Sequence, residues 1–372
     1  MSLCKQYSSS SLHFLLPLLI LATTSKTIVN AHNLSKQKAS NDSLSAPAIY
    51  IFGDSTVDPG NNNFIKTLFR SNFPPYGIDL PEEAPPGRFT NGRLPTDFIA
   101  SYIGVKQYVP AYLDPNLSLE DLTTGVSFGS AGTGYDPLTA ERNKVVDMST
   151  QLQYFDEYKK KLQRVVGKKR MEYIIKNAAY VISCGTNDII YTYGPDFLPL
   201  QPDNVANYQQ FMLQQCKWFL QAIIDRGARL IGVVGLPPVG CLPIIITAHS
   251  LIHQPRSCIE SLSSIAIGYN QILQHELKNM QASQPYTTIA YGEIFAPLQD
   301  QIDNPEKYGF EVVDRGCCGT GLIEGAFACN SLSPICDDRS KYLFWDAVHP
   351  TERSYYFLFE ALRPIVDFIL HR

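Results

Sequence analysis

Short apolar runs that alternate with longer amphipathic stretches constrain the fold of this chain more than any other feature. The runs have the character of buried strands and lie at 48–52, 125–128, 179–184, 230–234 and 287–290. The intervening stretches have helical spacing and lie at 95–103, 150–166, 204–226 and 259–281. Strands joined by crossovers of this length pair in parallel. The sequence therefore predicts an α/β fold with helices on both faces of a parallel sheet.

A single domain is predicted from residue 47 to residue 372. Over this region no linker, composition break or internal repeat is visible, and 45% of the whole chain is hydrophobic, which suffices for a sizeable core. Residues 32–46 are polar, rich in Ser and Asn and without periodicity, which predicts a flexible leader.

Residues 1–31 have the organisation of a signal peptide. Lys5 precedes the apolar run Leu12–Ala22, and small and polar residues follow as far as Ala31. The run is about half of the roughly 20 residues that a bilayer span requires, and Pro17 interrupts it. We therefore expect cleavage after Ala31, a secreted protein and no stable membrane span.

Cysteines and glycosylation sequons fit an export route. Cys184 lies in a predicted strand and Cys216 in a predicted helix, which favours two buried free thiols. The disulfide candidates lie in loop-like sequence, with connectivity left open: Cys241, Cys258, Cys317, Cys318, Cys329 and Cys336. Asn33, Asn41 and Asn116 each begin an Asn-X-Ser/Thr sequon, so they are predicted glycosylation sites.

Charge and spacing argue against two other classes of function. The formal net charge of −4 comes without a long basic stripe, so nucleic-acid binding is not expected. The histidines form no H-E-x-x-H motif and the late cysteines no paired C-x-x-C motif, so we expect neither a metal site nor any cofactor.

The first candidate catalytic motif follows the first predicted strand. Gly53-Asp54-Ser55 places a serine where a glycine permits a tight turn, and open α/β sheets bind ligands at the carboxyl ends of their strands. An ordinary turn is the alternative interpretation.

The second motif is Asp346 with His349, just before a predicted terminal helix. This spacing lets the carboxylate reach one imidazole nitrogen, so that the other nitrogen can take a proton from a serine hydroxyl. Alternatively, Asp346 is a solvated turn residue and Thr351 only a helix cap.

Two further motifs supply candidate hydrogen-bond donors to an oxyanion. Asn187 follows the predicted strand 179–184, and the glycine-rich turn 129–134 follows the predicted strand 125–128. The same region contains a competing nucleophile, because Gly125-Val126-Ser127-Phe128-Gly129 also satisfies G-x-S-x-G. No helix is evident directly after Ser127, as that motif requires.

Together these motifs resemble the plant GDSL esterase/lipase family, a branch of the SGNH hydrolases, over essentially the whole mature chain. The resemblance extends to segments 89–93, 235–241 and 317–321 and to 344–351. Thr56 stands where the family name has Leu, and Ala131 where many relatives have a second Gly.

The resemblance implies a flavodoxin-like three-layer α/β/α sandwich with an open groove. It implies that Ser55 is the nucleophile, His349 the base and Asp346 its support, with oxyanion donors from Ser55, Gly132 and Asn187. It also implies hydrolysis of carboxylic esters through an acyl-enzyme, on an acyl lipid, an acylated small molecule or a polysaccharide, in the apoplast or cell wall. The alternatives are a cell-wall polysaccharide deacetylase, an acyltransferase using the same site, and a catalytically silent secreted binding protein. The oligomeric state stays open.

Overall fold

The computed structural model describes residues 46–81, 86–194, 205–251 and 255–371. The predicted signal peptide, all but the last residue of the leader, and the sequons at Asn33 and Asn41 lie outside these residues. The strands are β1 (Ile49–Gly53), β2 (Ala179–Ser183), β3 (Leu230–Val234), β4 (Thr288–Gly292), β5 (Val312–Gly316) and β6 (Tyr342–Phe344). The helices are α1 (Pro95–Tyr102), α2 (Leu119–Thr124), α3 (Pro137–Asn143), α4 (Met148–Val166), α5 (Lys168–Asn177), α6 (Thr186–Tyr193), α7 (Val205–Asp225), α8 (Pro243–Ser250), α9 (Glu260–Ser283), α10 (Phe295–Asp303), α11 (Pro305–Tyr308) and α12 (Glu352–Leu370).

The main sheet is parallel and has the order β1-β2-β3-β4. Its register brings the strand ends into line, with Gly53 opposite Ser183, Ser183 opposite Val234 and Val234 opposite Gly292. The loops that follow these strands therefore meet at one edge of the sheet. Four of the five predicted strands are confirmed, with ends within one or two residues. A separate pair, β5 and β6, is also parallel.

The fifth predicted strand, 125–128, is wrong. The segment lies beside β1 and exchanges backbone hydrogen bonds with Ile51, but Ser127 makes only isolated bridges there. Gly125 has φ +96°, and the Asn61 amide donates to the carbonyls of Ser127 and Gly129. The Ser127 carbonyl also accepts from Tyr112 N, so the segment is held between β1 and residue 111 by isolated bridges rather than by a regular ladder.

Helices cover both faces of the sheet and make a three-layer α/β/α fold, as predicted. Helix α4 packs against β1 and α7, and α7 packs against α9, whereas α12 packs against β3, β4 and α1. On the first face the core is aromatic, since Phe52 of β1 meets Phe155 of α4 and Phe219 of α7 edge to face. Each such buried ring contributes about 1.5–3 kcal/mol through its removal from water.

Three disulfides cross-link the loops. They join Cys241 to Cys258, Cys317 to Cys336 and Cys318 to Cys329, so all six candidates are paired. The remaining described cysteines, Cys184 and Cys216, are free and buried, as expected. Within the described ranges, no helix combines the length and the apolarity needed to cross a bilayer.

Candidate active site

The turn after β1 is held rigidly. Gly53 has φ +135°, and a Cβ there would lie 1.7 Å from the carbonyl oxygen of Ser183, so only glycine fits. The buried Gln151 side chain of α4 makes two hydrogen bonds to the backbone of Gly53. The Gly53 N–H donates to Oε1 and Nε2 donates to the Gly53 carbonyl, each at 2.9 Å. Ser55 therefore projects from a fixed support.

His349 contacts both Ser55 and Asp346. Its Nε2 lies 2.8 Å from Ser55 Oγ, and its Nδ1 lies 2.8 Å from Asp346 Oδ2 and 2.9 Å from Oδ1. The structure thus brings together the three residues that the sequence predicted as a triad. Ser55 and His349 are each 7% exposed and Asp346 is fully buried, so water competes little for these hydrogen bonds.

Local backbone geometry positions the histidine. Asp346 Oδ1 accepts hydrogen bonds from the N–H groups of Val348 and His349, which closes a tight turn. Thr351 then caps α12 by accepting from Ser354 N. Thr351 is therefore a helix cap, as the alternative interpretation predicted, but the Asp346–His349 pair is present as well. The cap anchors the turn to the helix.

Two residues that sequence analysis did not single out support this pair. The Tyr76 hydroxyl donates to Asp346 Oδ2 at 2.7 Å, and burial raises the Tyr76 pKa well above its usual value, so the phenol stays protonated. The Phe89 ring packs on the imidazole of His349 with 4.9 Å between ring centres. Together they fix the carboxylate and the plane of the ring.

The predicted oxyanion donors lie beside the serine. Gly132, with φ +87°, and Asn187, in the first turn of α6, line the same cavity as Ser55 and His349. One amide hydrogen of Asn187 is held by the Thr133 carbonyl at 2.8 Å, which leaves its second hydrogen available to another acceptor.

Asp58 connects the serine turn to the glycine-rich turn. Its Oδ1 accepts from Gly60 N and Asn61 N, and its Oδ2 accepts from Ala131 N at 3.0 Å. Burial raises the pKa of Asp58 to about 6 despite these hydrogen bonds. The residue next to Gly132 is therefore tied to the segment that carries Ser55.

Asp188 performs a similar structural task on the other side of the site. It accepts hydrogen bonds from Tyr135 N, Asp136 N and Thr139 Oγ1, and burial raises its pKa to about 7. These contacts join the start of α6, and with it Asn187, to the start of α3.

Asp54 is buried next to Ser55. It accepts from the backbone and the hydroxyl of Thr56, and burial raises its pKa to about 6. Thr56 itself shares a hydrogen bond of 2.9 Å with Ser183. The departure from leucine at this position thus adds a polar link between the turn after β1 and the end of β2.

Ser127, the competing nucleophile, lies in a different environment. It is fully buried, donates to the Val57 carbonyl at 2.7 Å and accepts from Gly129 N. These contacts make it a brace within the turn, whereas the serine that reaches an imidazole is Ser55.

The sequence contains a weak signal for Gln151 and almost none for Tyr76. Gln151 lies within the apolar stripe of α4, where a buried polar side chain needs a partner. Tyr76 precedes its partner Asp346 by 270 positions, and nothing local connects them. Phe89 belongs to a segment already noted for its resemblance, without a role.

Known proteins are similar to this chain over most of its length. Residues 49–362 match the sequence profile described as GDSL-like Lipase/Acylhydrolase. Three proteins of Arabidopsis thaliana, each named GDSL esterase/lipase, are 50%, 44% and 41% identical to it. The alignments cover 88%, 83% and 86% of this chain and 88%, 77% and 85% of those proteins.

Proposed function

The chain belongs to the GDSL-like lipase/acylhydrolase family and is thus a carboxylic ester hydrolase, and from this premise we propose that Ser55, His349 and Asp346 carry the reaction. The observation that carries the proposal is the continuous contact from Ser55 Oγ through the imidazole to Asp346, at 2.8 Å on both sides of the ring. A hydroxyl is a weak nucleophile until a neighbouring base accepts its proton.

In the proposed mechanism, Ser55 Oγ attacks the ester carbonyl while its proton passes to His349 Nε2. Asp346 accepts a hydrogen bond from Nδ1–H, which selects the reactive tautomer and stabilises the imidazolium that forms. His349 then donates the proton to the departing alcohol. Water attacks the acyl-enzyme with His349 again as base, which releases the carboxylic acid and restores Ser55.

The negative charge of each tetrahedral intermediate falls on the former carbonyl oxygen. We assign its stabilisation to the backbone N–H groups of Ser55 and Gly132 and to the Asn187 amide. The fixed positions of Gly132 and Asn187 support this assignment, because donors that need no reorganisation are worth the most. Removing one such donor costs about 10²–10³ in kcat.

The test compares the purified protein with Ser55→Ala and Ser127→Ala on p-nitrophenyl butyrate. We expect Ser55→Ala to be inactive and Ser127→Ala to retain most activity, with some loss of stability from its missing hydrogen bond. An inactive but folded Ser127→Ala beside an active Ser55→Ala would refute the assignment. An inert parent protein would favour acyl transfer to an alcohol or a binding role.

We also propose that the protein enters the secretory route and acts outside the cell. Three disulfides support this, since they persist in oxidising compartments. The Asn116 side chain is exposed, as a glycan acceptor must be. Expression in a secreting plant cell, with and without Asn116→Gln, tests both points. A mass unchanged by deglycosylation would contradict glycosylation, and retention inside the cell would contradict secretion.

A further inference from the structure

Two cavities border Ser55, and they differ in the solvent exposure of their lining residues. The inner cavity lies between the carboxyl end of the sheet and helices α1, α10 and α12. Its walls include Leu298, Leu358 and Leu362, which are all buried. Its volume is about 70 Å³. Both Ser55 and His349 border it, so a group bonded to the serine can extend into it.

The outer cavity borders the same serine and histidine, and part of its wall is exposed to solvent. Ile323 and Phe327 form part of its wall and are 63% and 59% exposed. Both belong to the loop between Cys318 and Cys336, which two disulfides cross-link. The cavity volume is about 180 Å³. Its lining, like that of the inner cavity, is mostly apolar.

The order of bond breaking distinguishes the two cavities. The alcohol leaves before the acyl group does, and water must then reach the carbonyl carbon while the acyl chain is still bonded to Ser55. An enclosed cavity suits the group that stays, and an open one suits the group that leaves and the water that replaces it. This reasoning rests on the proposed function, because it requires an acyl-enzyme on Ser55.

We propose that the inner cavity binds the acyl chain and limits its length, and that the outer cavity binds an apolar alcohol. The inner cavity is the smaller of the two, about 70 Å³ against about 180 Å³, and its leucine wall is buried, so it limits the acyl chain to a short or medium length. The substrate class is therefore an ester of a short or medium-length carboxylic acid with an apolar alcohol. An acetylated polysaccharide, whose alcohol is polar, fits the outer cavity poorly.

The test is an ester matrix in which acyl chain and alcohol vary independently, at concentrations where all esters are monomeric. For the parent protein, kcat/KM with p-nitrophenyl esters should fall at least about tenfold between octanoate and dodecanoate. Leu362→Ala removes three carbon atoms from the inner wall and should restore most of that loss. Leu298→Phe should lower the limit instead, reducing octanoate relative to butyrate. Leu277→Ala is the matched control, because Leu277 is equally buried in α9 and lines neither cavity.

The alcohol side is tested with ethyl, hexyl and benzyl butyrates. Phe327→Ala should change this series and leave the acyl series unaltered. The inference is overturned if the parent hydrolyses dodecanoate as well as butyrate, or if folded Leu362→Ala or Leu298→Phe changes the alcohol series instead of the acyl series. An activity that survives Ser55→Ala would instead refute the proposed function.

Discussion

Replacing Gln151 by leucine tests how much its two hydrogen bonds to Gly53 stabilise the turn that carries Ser55. Leucine has a similar shape but cannot accept from Gly53 N or donate to the Gly53 carbonyl. The carbonyl keeps its hydrogen bond from Ser130 N at 2.9 Å, so the main loss is the acceptor for one buried N–H. That loss costs about 1–3 kcal/mol in the free energy of unfolding. Because Ser55 follows two residues after Gly53, kcat should fall as well, with KM less affected.

Gln151→Glu is the matched variant. As a neutral acid, glutamic acid can make both hydrogen bonds, but as a carboxylate it loses the donor and buries a charge. The pKa of the glutamic acid at position 151 should therefore be higher in the folded state than in the unfolded state. Its contribution to the free energy of unfolding is then present at low pH and declines as pH rises. The deficit of Gln151→Glu relative to the parent should grow between pH 5 and pH 8, whereas that of Gln151→Leu should stay constant.

Urea unfolding followed by tryptophan fluorescence, together with kcat and KM at both pH values, makes this comparison. The reasoning is refuted if the free energy of unfolding of Gln151→Leu lies within about 0.5 kcal/mol of the parent value and kcat is unchanged. It is also refuted if the glutamate variant shows no added dependence on pH.

Three further predictions address the base, the buried acids and a cross-link. Asp346→Asn should lower kcat by about 10⁴ without changing the circular dichroism spectrum. The side-chain oxygen stays bound to two backbone N–H groups, so the new amide nitrogen faces the imidazole and favours the wrong tautomer. A kcat within tenfold of the parent value would contradict the assigned role. Asp58 and Asp188 have pKa values raised to about 6 and about 7, so the folded state binds more protons than the unfolded state above their ordinary pKa. The free energy of unfolding should accordingly fall from pH 4.5 to pH 7.5 in urea titrations, and a rise over this interval would count against the burial argument. Replacing Cys318 and Cys329 by serine should lower the free energy of unfolding by about 2–4 kcal/mol, measured as a lower melting temperature. Dithiothreitol should then lower the melting temperature of this variant less than it lowers that of the parent.

Linear motifs made the main elements of the candidate site predictable. The spacing of Asp346 and His349 lies within one turn, so its geometry follows from local backbone conformation, and Ser55 directly follows a strand end. The strands could be predicted because they are buried on both faces and therefore almost uniformly apolar.

Long-range polar contacts account for what the sequence did not reveal. Residues 125–128 have the composition of a strand, but they form only isolated bridges, and the Asn61 side chain from more than sixty positions away also bonds the Ser127 carbonyl. Tyr76 and Gln151 also contact remote partners, which lie 270 and 98 positions away along the chain. The disulfide connectivity was likewise unreadable, because it depends on how the loops fold rather than on cysteine spacing.

The separation of Ser55 from His349 has a consequence during biosynthesis. The two residues stand 294 positions apart, so a ribosome completes Ser55 long before it adds the base. In the proposed mechanism, the hydroxyl therefore has no proton acceptor in place throughout elongation. The same mechanism requires that the segment from Asp346 through α12 pack against the rest of the fold before the protein is active. Regain of esterase activity during refolding should therefore report the packing of this C-terminal segment, and a chain truncated before Asp346 should be inert.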